Sequence, residues 1–405
     1  MPTATYRTTA FVTAARRLAV ELTVASEQPS TFQQAQPDRL LTLPFAIPER
    51  AALEAQAFAT RVPVHGVVGV DDDTAVVAAA VAAALGLRGH PLAAALAARD
   101  KHRQRVLCAE RGVPVPPFAL YATTADGAAL AARVRYPCVL KPLRLAASRG
   151  VIRADDPAGF TAAWQRLTAL LATPEIAACG DWTRQVLVED FVPGPEVALE
   201  GLVTGGQLHT LALFDKPDPL DGPFFEETLY VTPSGLPPPA ERAIAACAQA
   251  AVTALGLTEG PVHAELRHND HGAWLIELAA RPIGGRCSAA LRFADGASLE
   301  EVILRQALGL PLPLLERERT ASGVMMIPVP RAGTLREVRG LAAARAVPLV
   351  TDVAITAHPG DALVPWPEGS RYPGFIFARG ETAGAVERAL RDAYARLDFL
   401  IDPVA

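Results

Sequence analysis

Val262-His263-Ala264-Glu265-Leu266, the polar run His268-Asn269-Asp270-His271-Gly272, and Ala273-Trp274-Leu275-Ile276-Glu277-Leu278-Ala279 read together as two strands folded back over a turn. With the turn centred near His271, Glu265 falls opposite Glu277 and His263 opposite Ala279. Alternation along each strand then predicts a buried face of Val262, Ala264, Leu266, Trp274, Ile276 and Leu278. Both carboxylates share the other face. Side chains paired across such a hairpin have Cβ atoms about 4.5–5.5 Å apart, so two like charges there repel unless something compensates. A divalent cation is the natural compensation, and Mg²⁺ is held by one or two carboxylates together with substrate phosphates. The competing reading is two glutamates on a solvent-facing sheet, since glutamate is mostly an exposed residue.

Directly after the second strand comes Ala280-Arg281-Pro282-Ile283-Gly284-Gly285-Arg286. Two glycines permit close backbone approach, and a guanidinium beside paired carboxylates suits a phosphoryl group in transfer. A plain glycine turn with a solvated arginine is the alternative.

Working outward, the first ninety or so residues alternate helix-like and strand-like stretches: helix at Phe11 to Leu18, strands at Ala19 to Ala25 and Val64 to Val70, and an Ala-rich helix from Thr74 to Leu85 stopped by Gly86. That alternation predicts a small α/β layer with parallel strands. No G-x-G-x-x-G follows a strand here, so a dinucleotide site is not indicated. A helix from Pro91 to Arg111 ends at Gly112, and Val113 to Pro117 forces an extended linker. Beyond it the pattern predicts a strand at Cys138 to Lys141, a helix at Pro157 to Leu171, a strand at Val186 to Glu189, a hairpin through Thr204-Gly205-Gly206, a helix from Pro239 to Leu255, and a C-terminal α/β portion from about Ala321.

At 405 residues, two or more domains or subdomains are expected. Charges such as Asp71 to Asp73, Arg103 and Arg105 interrupt every apolar run before about 18 residues, so no membrane span is expected. Met1 to Ala10 lead into a helical pattern, not a long apolar signal core, so a cytoplasmic location is expected. With a net charge of −5 and no Lys/Arg block, nucleic acid is not an expected partner. Five scattered cysteines without C-x-x-C spacing, Cys108, Cys138, Cys179, Cys247 and Cys287, read as reduced core thiols.

Four stretches, in one order over roughly residues 90–315, resemble the ATP-grasp ligases. Cys138-Val139-Leu140-Lys141-Pro142 is similar to that family's lysine strand, and Ala147-Ser148-Arg149-Gly150-Val151 to its phosphate-covering loop. Val186 to Glu196 resembles its adenine hinge, and Leu275 to Gly285 its metal strand. The resemblance implies an α/β fold of the ATP-grasp kind. A Rossmann-like N-terminal domain (1–95) with parallel strands would precede a small subdomain (96–187) and a large one with the metal site (188–318), clamping ATP between antiparallel sheets, and a C-terminal α/β portion (319–405) would follow.

Position by position, the resemblance implies that Lys141, with Lys101 and Ser148, faces the phosphates. Glu189 and the backbone through Phe191 and Val192 would hold adenine, and Glu196 the ribose. Glu265 and Glu277 would bind Mg²⁺, or Mn²⁺ in its place, and Lys216 is a second candidate phosphate-side cation. Charge supports the pattern, because lysines and metal must offset a triphosphate while an acyl phosphate forms. Lys141 also stands in an apolar strand, where an unpaired ammonium is costly. Two features depart from the family: the loop Leu143 to Gly150 is poor in glycine, and the usual asparagine two residues beyond the second glutamate is Ala279.

Glu277-Leu278-Ala279-Ala280-Arg281 and Phe224-Phe225-Glu226-Glu227-Thr228 ahead of Pro233-Ser234 further resemble the bacterial L-amino-acid ligases of the alanine–anticapsin ligase type. There the equivalents of Glu227 and Arg281 help hold the amino-acid substrate and its acyl phosphate, while Tyr230 replaces a frequent histidine. The expectation is an ADP-forming ligase that joins a small carboxylate to an amine, with homodimers common among such relatives. Its rivals are an ATP-grasp carboxylase or purine-type ligase acting on bicarbonate or a nucleotide, and a nucleotide-binding module without chemistry.

Overall fold

The computed structural model describes residues 7–403, so part of the Met1 to Ala10 reading lies outside the described residues. An antiparallel sheet of eight strands forms the backbone of the molecule, in the order Gly272–Ala279, Gly260–Asn269, Glu196–Thr204, Gln207–Asp215, Leu229–Thr232, Ala321–Met326, Gly374–Gly380, Val350–Ile355. A second, four-stranded antiparallel sheet runs Phe118–Ala122, Gln185–Asp190, Cys138–Pro142, Ile152–Ala154. The C-terminal portion expected from Ala321 therefore lends three strands to the large sheet and adds a small three-stranded sheet of its own.

Apolar burial holds each sheet to its helix. The 18-residue helix Pro238–Leu255 lays Ile244, Ala248, Ala251 and Val252 against Val197, Leu199, Val262, Ala264 and Leu278. Around the smaller sheet, Phe160, Trp164 and Leu167 of helix Pro157–Leu171 cover Leu140, Ile152 and Val186. That helix starts where expected because Asp156 caps it and Pro157 supplies a preset φ at its first turn.

In the N-terminal layer, Val24–Ser26 pairs with Leu40–Thr42 in parallel. Helix Asp72–Leu85 opens with a capping box between Asp71 and Thr74 and closes at Gly86, whose φ of +65° suits glycine. The strand expected over residues 64–70 does not join a ladder. Gly69 instead lies so close to the helix that a Cβ there would stand 2.6 Å from the Ala75 Cα. Only the end of the stretch Ala19 to Ala25 becomes strand.

The helix expected from Pro91 to Arg111 is broken. Asp100 leaves helical geometry (φ −112°, ψ 109°), separating Leu92–Arg99 from Lys101–Glu110, and its carboxylate caps the second helix by accepting from the Arg103 amide. Of the cysteines, Cys179 is exposed and the other four are buried. Among the described residues no helix is long and apolar enough to cross a membrane.

Candidate active site

The hairpin Gly260–Asn269/Gly272–Ala279 has the expected register at its base: Glu265 faces Glu277 and His263 faces Ala279. A bulge then intervenes, because Leu266 pairs with Leu275 and Ile276 is left over. Beyond the bulge the alternation is reversed. Ala273 and Leu275 are buried where Trp274 and Ile276 were expected, and the latter two are half-exposed. The extra residue has a use, since the Ile276 carbonyl accepts a hydrogen bond of 2.5 Å from the buried Arg105 guanidinium.

On its other side the first hairpin strand pairs with Glu196–Thr204, placing Glu200 opposite His263 and Glu196 opposite Arg267. One sheet face thus carries Glu196, Glu200, His263, Glu265, Arg267 and Glu277. Glu265 and Glu277 line a cleft of about 580 Å³ that is closed from the other sheet by Lys141, Glu189, Phe191 and Val192. Lys101, Ser148 and Glu196 also line it. The nine residues expected to meet nucleotide or metal all line this one cleft.

Charge in the cleft is tightly paired. Lys101 Nζ lies 2.9 Å from Glu277 Oε1 and donates to the Leu145 carbonyl at 3.0 Å. The helix break at Asp100 aims it there, and the Lys101 amide itself donates to the Leu143 carbonyl. Lys141 Nζ is 2.6 Å from Glu189 Oε2, and Arg105 Nε is 2.6 Å from Glu189 Oε1. Burial alone would raise the Glu189 pKa, but Arg105 and then Lys141 hold it below the usual carboxylate value. Glu189 was expected at adenine. Its carboxylate is instead committed to two cations, and its backbone lies within the sheet ladder between Phe118 and Val139.

Glu196, expected at ribose, is bound by Lys216 at 2.7 Å and by Arg267 at 2.9 Å. Arg267 also donates to the Val192 carbonyl at 2.8 Å and lies over the Phe191 ring, 4.8 Å from its centroid. Lys216, Glu227 and Arg281 sit outside the cleft lining. Lys216 is hydrogen-bonded to Glu227 and 3.6 Å from Glu265, and its three carboxylates lift its pKa against the effect of burial. Burial and the nearby Glu265 push Glu227 upward, whereas Lys216 and His263 keep Glu265 well below the usual value despite its burial. Of this close pair, Glu265 holds the charge.

His263 bridges Glu200 (2.5 Å) and Glu265 (3.5 Å). Burial opposes its protonation, yet Glu200 carries its pKa up to about 9. The Glu196, Glu227 and Glu265 ligand oxygens lie within 4.8 Å of one another. This all-oxygen donor set, with Glu277 opposite, fits a hard cation such as Mg²⁺ or Mn²⁺ and not a thiolate- or imidazole-seeking metal.

The glycine-poor loop is shaped by other means. Ala147 and Ser148 adopt φ of +54° and +52°. Trp366 Nε1 donates to the Ala147 carbonyl at 2.7 Å, Gly150 N to Pro367 O at 2.8 Å, and Arg149 Nε to Glu368 O at 2.8 Å. The C-terminal portion thereby clasps the loop. Sequence reading missed Arg105, Glu200 and Arg267. A signal existed for Arg267, which alternates with His263 and Glu265 along one strand; Arg105 comes from a helix far away in sequence.

Comparison with known proteins agrees with this geometry. Residues 134–290 match the ATP-grasp domain family, residues 12–89 the ATP-grasp N-terminal domain, and residues 325–402 the L-amino acid ligase C-terminal domain 2. The alanine–anticapsin ligase of Bacillus subtilis is 28% identical over 252 residues, covering 58% of this chain and 53% of that protein. An uncharacterized protein of Sinorhizobium fredii, y4rH, is 28% identical over 307 residues, 75% of this chain and 61% of its own. The chain thus spans little more than half the length of these curated relatives. The crystal structure of an L-amino acid ligase from Bacillus licheniformis superposes with a TM-score of 0.79 at 27% identity, covering 97% of this chain and 95% of that one.

Proposed function

We propose, from the premise that this chain is an ATP-grasp protein with an L-amino acid ligase C-terminal domain, that it joins a small carboxylate, an amino acid, to an amine at the expense of ATP. The observation that carries the reading is the facing pair Glu265 and Glu277 on the wall of the cleft that also holds Lys101 and Lys141. Two carboxylates and two lysines on one cleft are what a metal-bound triphosphate requires.

In this reading the purine lies between the apolar side chains Val139, Val151, Phe191, Val192 and Ile276, and the phosphates run toward Lys141 and Lys101. A divalent cation, when bound at Glu265 and Glu277, neutralises charge on the phosphates. Lys101 and Lys216 then exchange carboxylate partners for phosphate or substrate oxygens. The substrate carboxylate attacks the γ-phosphorus, the bond to the β-phosphate oxygen breaks, and ADP leaves. Arg281 clamps the transferred phosphoryl group. The amine then attacks the acyl carbon, the bond from that carbon to the phosphate oxygen breaks, inorganic phosphate leaves, and the proton shed by the amine passes to Glu227, which burial and Glu265 incline to hold one.

The test is an array of amino-acid pairs with MgATP, assayed for ADP, phosphate and amide product. Release of AMP and pyrophosphate would overturn the acyl-phosphate route. ATP cleavage that needs bicarbonate and no amino acid would point to a carboxylase or purine-type ligase instead.

A further inference from the structure

Three consecutive aspartates, Asp71-Asp72-Asp73, open the helix Asp72–Leu85 of the N-terminal layer, and the ligase reading so far gives them no task. Asp71 caps the helix, accepting from Thr74 N at 2.9 Å, which fixes the backbone of the first turn. Asp72 Oδ2 lies 3.2 Å from Arg281 Nε, with both side chains about six-sevenths buried (15% and 14% exposed). Asp73 pairs with Arg99 at 2.8 Å, and Arg99 in turn donates to the Arg144 carbonyl in the phosphate-covering loop.

Among the described residues Arg281 makes one ion pair, that with Asp72; its other hydrogen bond goes to the carbonyl of its own neighbour Pro282. The field around it pulls elsewhere as well, toward Glu277, Glu200 and Glu265. A guanidinium free to follow that pull would fall onto the carboxylates assigned to the metal. Asp72 prevents this with a short side chain on a capped turn. It stays ionised for the task, since Arg281, Arg99 and Lys101 outweigh the effect of burial and hold its pKa down to about 2.

We propose that Asp72 is a positioning residue for phosphoryl transfer: from the N-terminal layer it holds the Arg281 guanidinium off Glu277 and Glu265 and aims it at the transferred phosphoryl group. The inference rests on the ligase reading and extends it, because it makes the N-terminal layer part of the reaction centre. Arg281 then acts only when that layer is docked.

The experiment uses the full chain saturated with MgADP and titrates inorganic phosphate, the group Arg281 is assigned to clamp, by calorimetry. Asp72→Asn is expected to weaken phosphate binding roughly tenfold, as loss of a group that orients a ligand-binding side chain commonly does, while ADP affinity stays at the wild-type value. Asp72→Glu, which keeps the charge, is expected to recover part of that loss. The double variant Asp72→Asn/Arg281→Ala should bind phosphate no more weakly than Arg281→Ala alone. Wild-type phosphate affinity in Asp72→Asn, or a further loss in the double variant, overturns the proposal. Should Asp72→Asn fail to fold, Asp72→Ser, which also removes the charge, takes its place: wild-type phosphate affinity counts against the proposal, and a loss that Asp72→Glu does not share supports it. Failure of the ligase reading is seen separately, as absence of ADP release by the unaltered chain with every amino-acid pair.

Discussion

Glu277 and Glu189 are both acidic and both line the cleft between the two sheets, yet their substitution should have opposite signatures. Glu277 is 30% exposed at its side chain and faces one lysine, so Glu277→Gln keeps its volume and an acceptor for Lys101. Its expected effect is on chemistry: ADP release falls by at least about 100-fold, or about 2.7 kcal/mol, with the melting temperature nearly unchanged. Retained turnover would remove the metal assignment. Glu189 is 1% exposed and neutralises Arg105, which is fully buried, as well as Lys141. Glu189→Gln strands two buried cations, and breaking such a pair costs about 3–5 kcal/mol. A denaturant midpoint equal to wild type would show that the cluster is wetter than its geometry implies. Lys141→Met should be milder for stability, since Arg105 still neutralises Glu189, and harsher for nucleotide affinity.

Among the elements, the hinge between the two sheets is where a small change should propagate furthest. Gly194 has φ of +115°, and a Cβ built there would lie 2.3 Å from the His268 carbonyl oxygen on the hairpin Gly260–Asn269/Gly272–Ala279. Gly194→Ala is therefore expected to cost about 1–3 kcal/mol, the range for a residue forced into a sparsely allowed conformation, and to weaken ATP binding because hinge and hairpin must separate. Unchanged nucleotide affinity alongside reduced stability would show that the two elements are not coupled. The hairpin also marks what alternation can and cannot reveal. Glu265 opposite Glu277 was legible because paired positions follow from the turn alone. The bulge at Ile276 was not, since a pattern of apolar and polar residues does not register an unpaired residue whose carbonyl serves Arg105. The break at Asp100 was hidden for a similar reason: Leu92 to Glu110 has helical composition throughout, and only the contacts of Lys101 and Asp100 with the loop 143–145 give the interruption its cause. Val64 to Val70 has the composition of a strand, but its glycines serve close packing on a helix and no neighbouring strand is aligned to receive it.

Over the whole molecule, the N-terminal layer packs Phe11, Ala14, Ala15 and Val70 into one buried core with Leu202, Phe214, Val302 and Ile303, and polar contacts join it as well: Asp72 with Arg281, Arg17 with Glu301 at 2.8 Å, and His90 with the Pro261 carbonyl at 3.3 Å. His90 is 8% exposed and stands at the seam, lining a cavity of about 510 Å³ between helix Asp72–Leu85, the start of strand Gly260–Asn269 and helix Leu299–Ala307. Burial drives its pKa down to about 4 from the ordinary 6.5, only partly opposed by the Pro261 carbonyl. Because the folded value lies below the unfolded one, the unfolded chain binds a proton between those two pH values and the folded chain does not. Stability is therefore undiminished above the unfolded pKa and declines as the pH falls from 6.5 toward 4. A shift of that size corresponds to roughly 3 kcal/mol at most, and it falls on a residue at the seam between the N-terminal layer and the large sheet. Urea unfolding at about pH 7.5 and about pH 5 should show the wild-type chain losing more stability than His90→Asn, which cannot take up the proton. Carboxylates titrate in the same range in both proteins, so the difference between the two slopes isolates His90. Parallel slopes would mean that the imidazole is solvated at the seam and that acid sensitivity arises elsewhere. Because Asp72 reaches Arg281 across the same seam, a loosening at low pH should also weaken phosphate binding in the ADP complex more in the wild type than in His90→Asn.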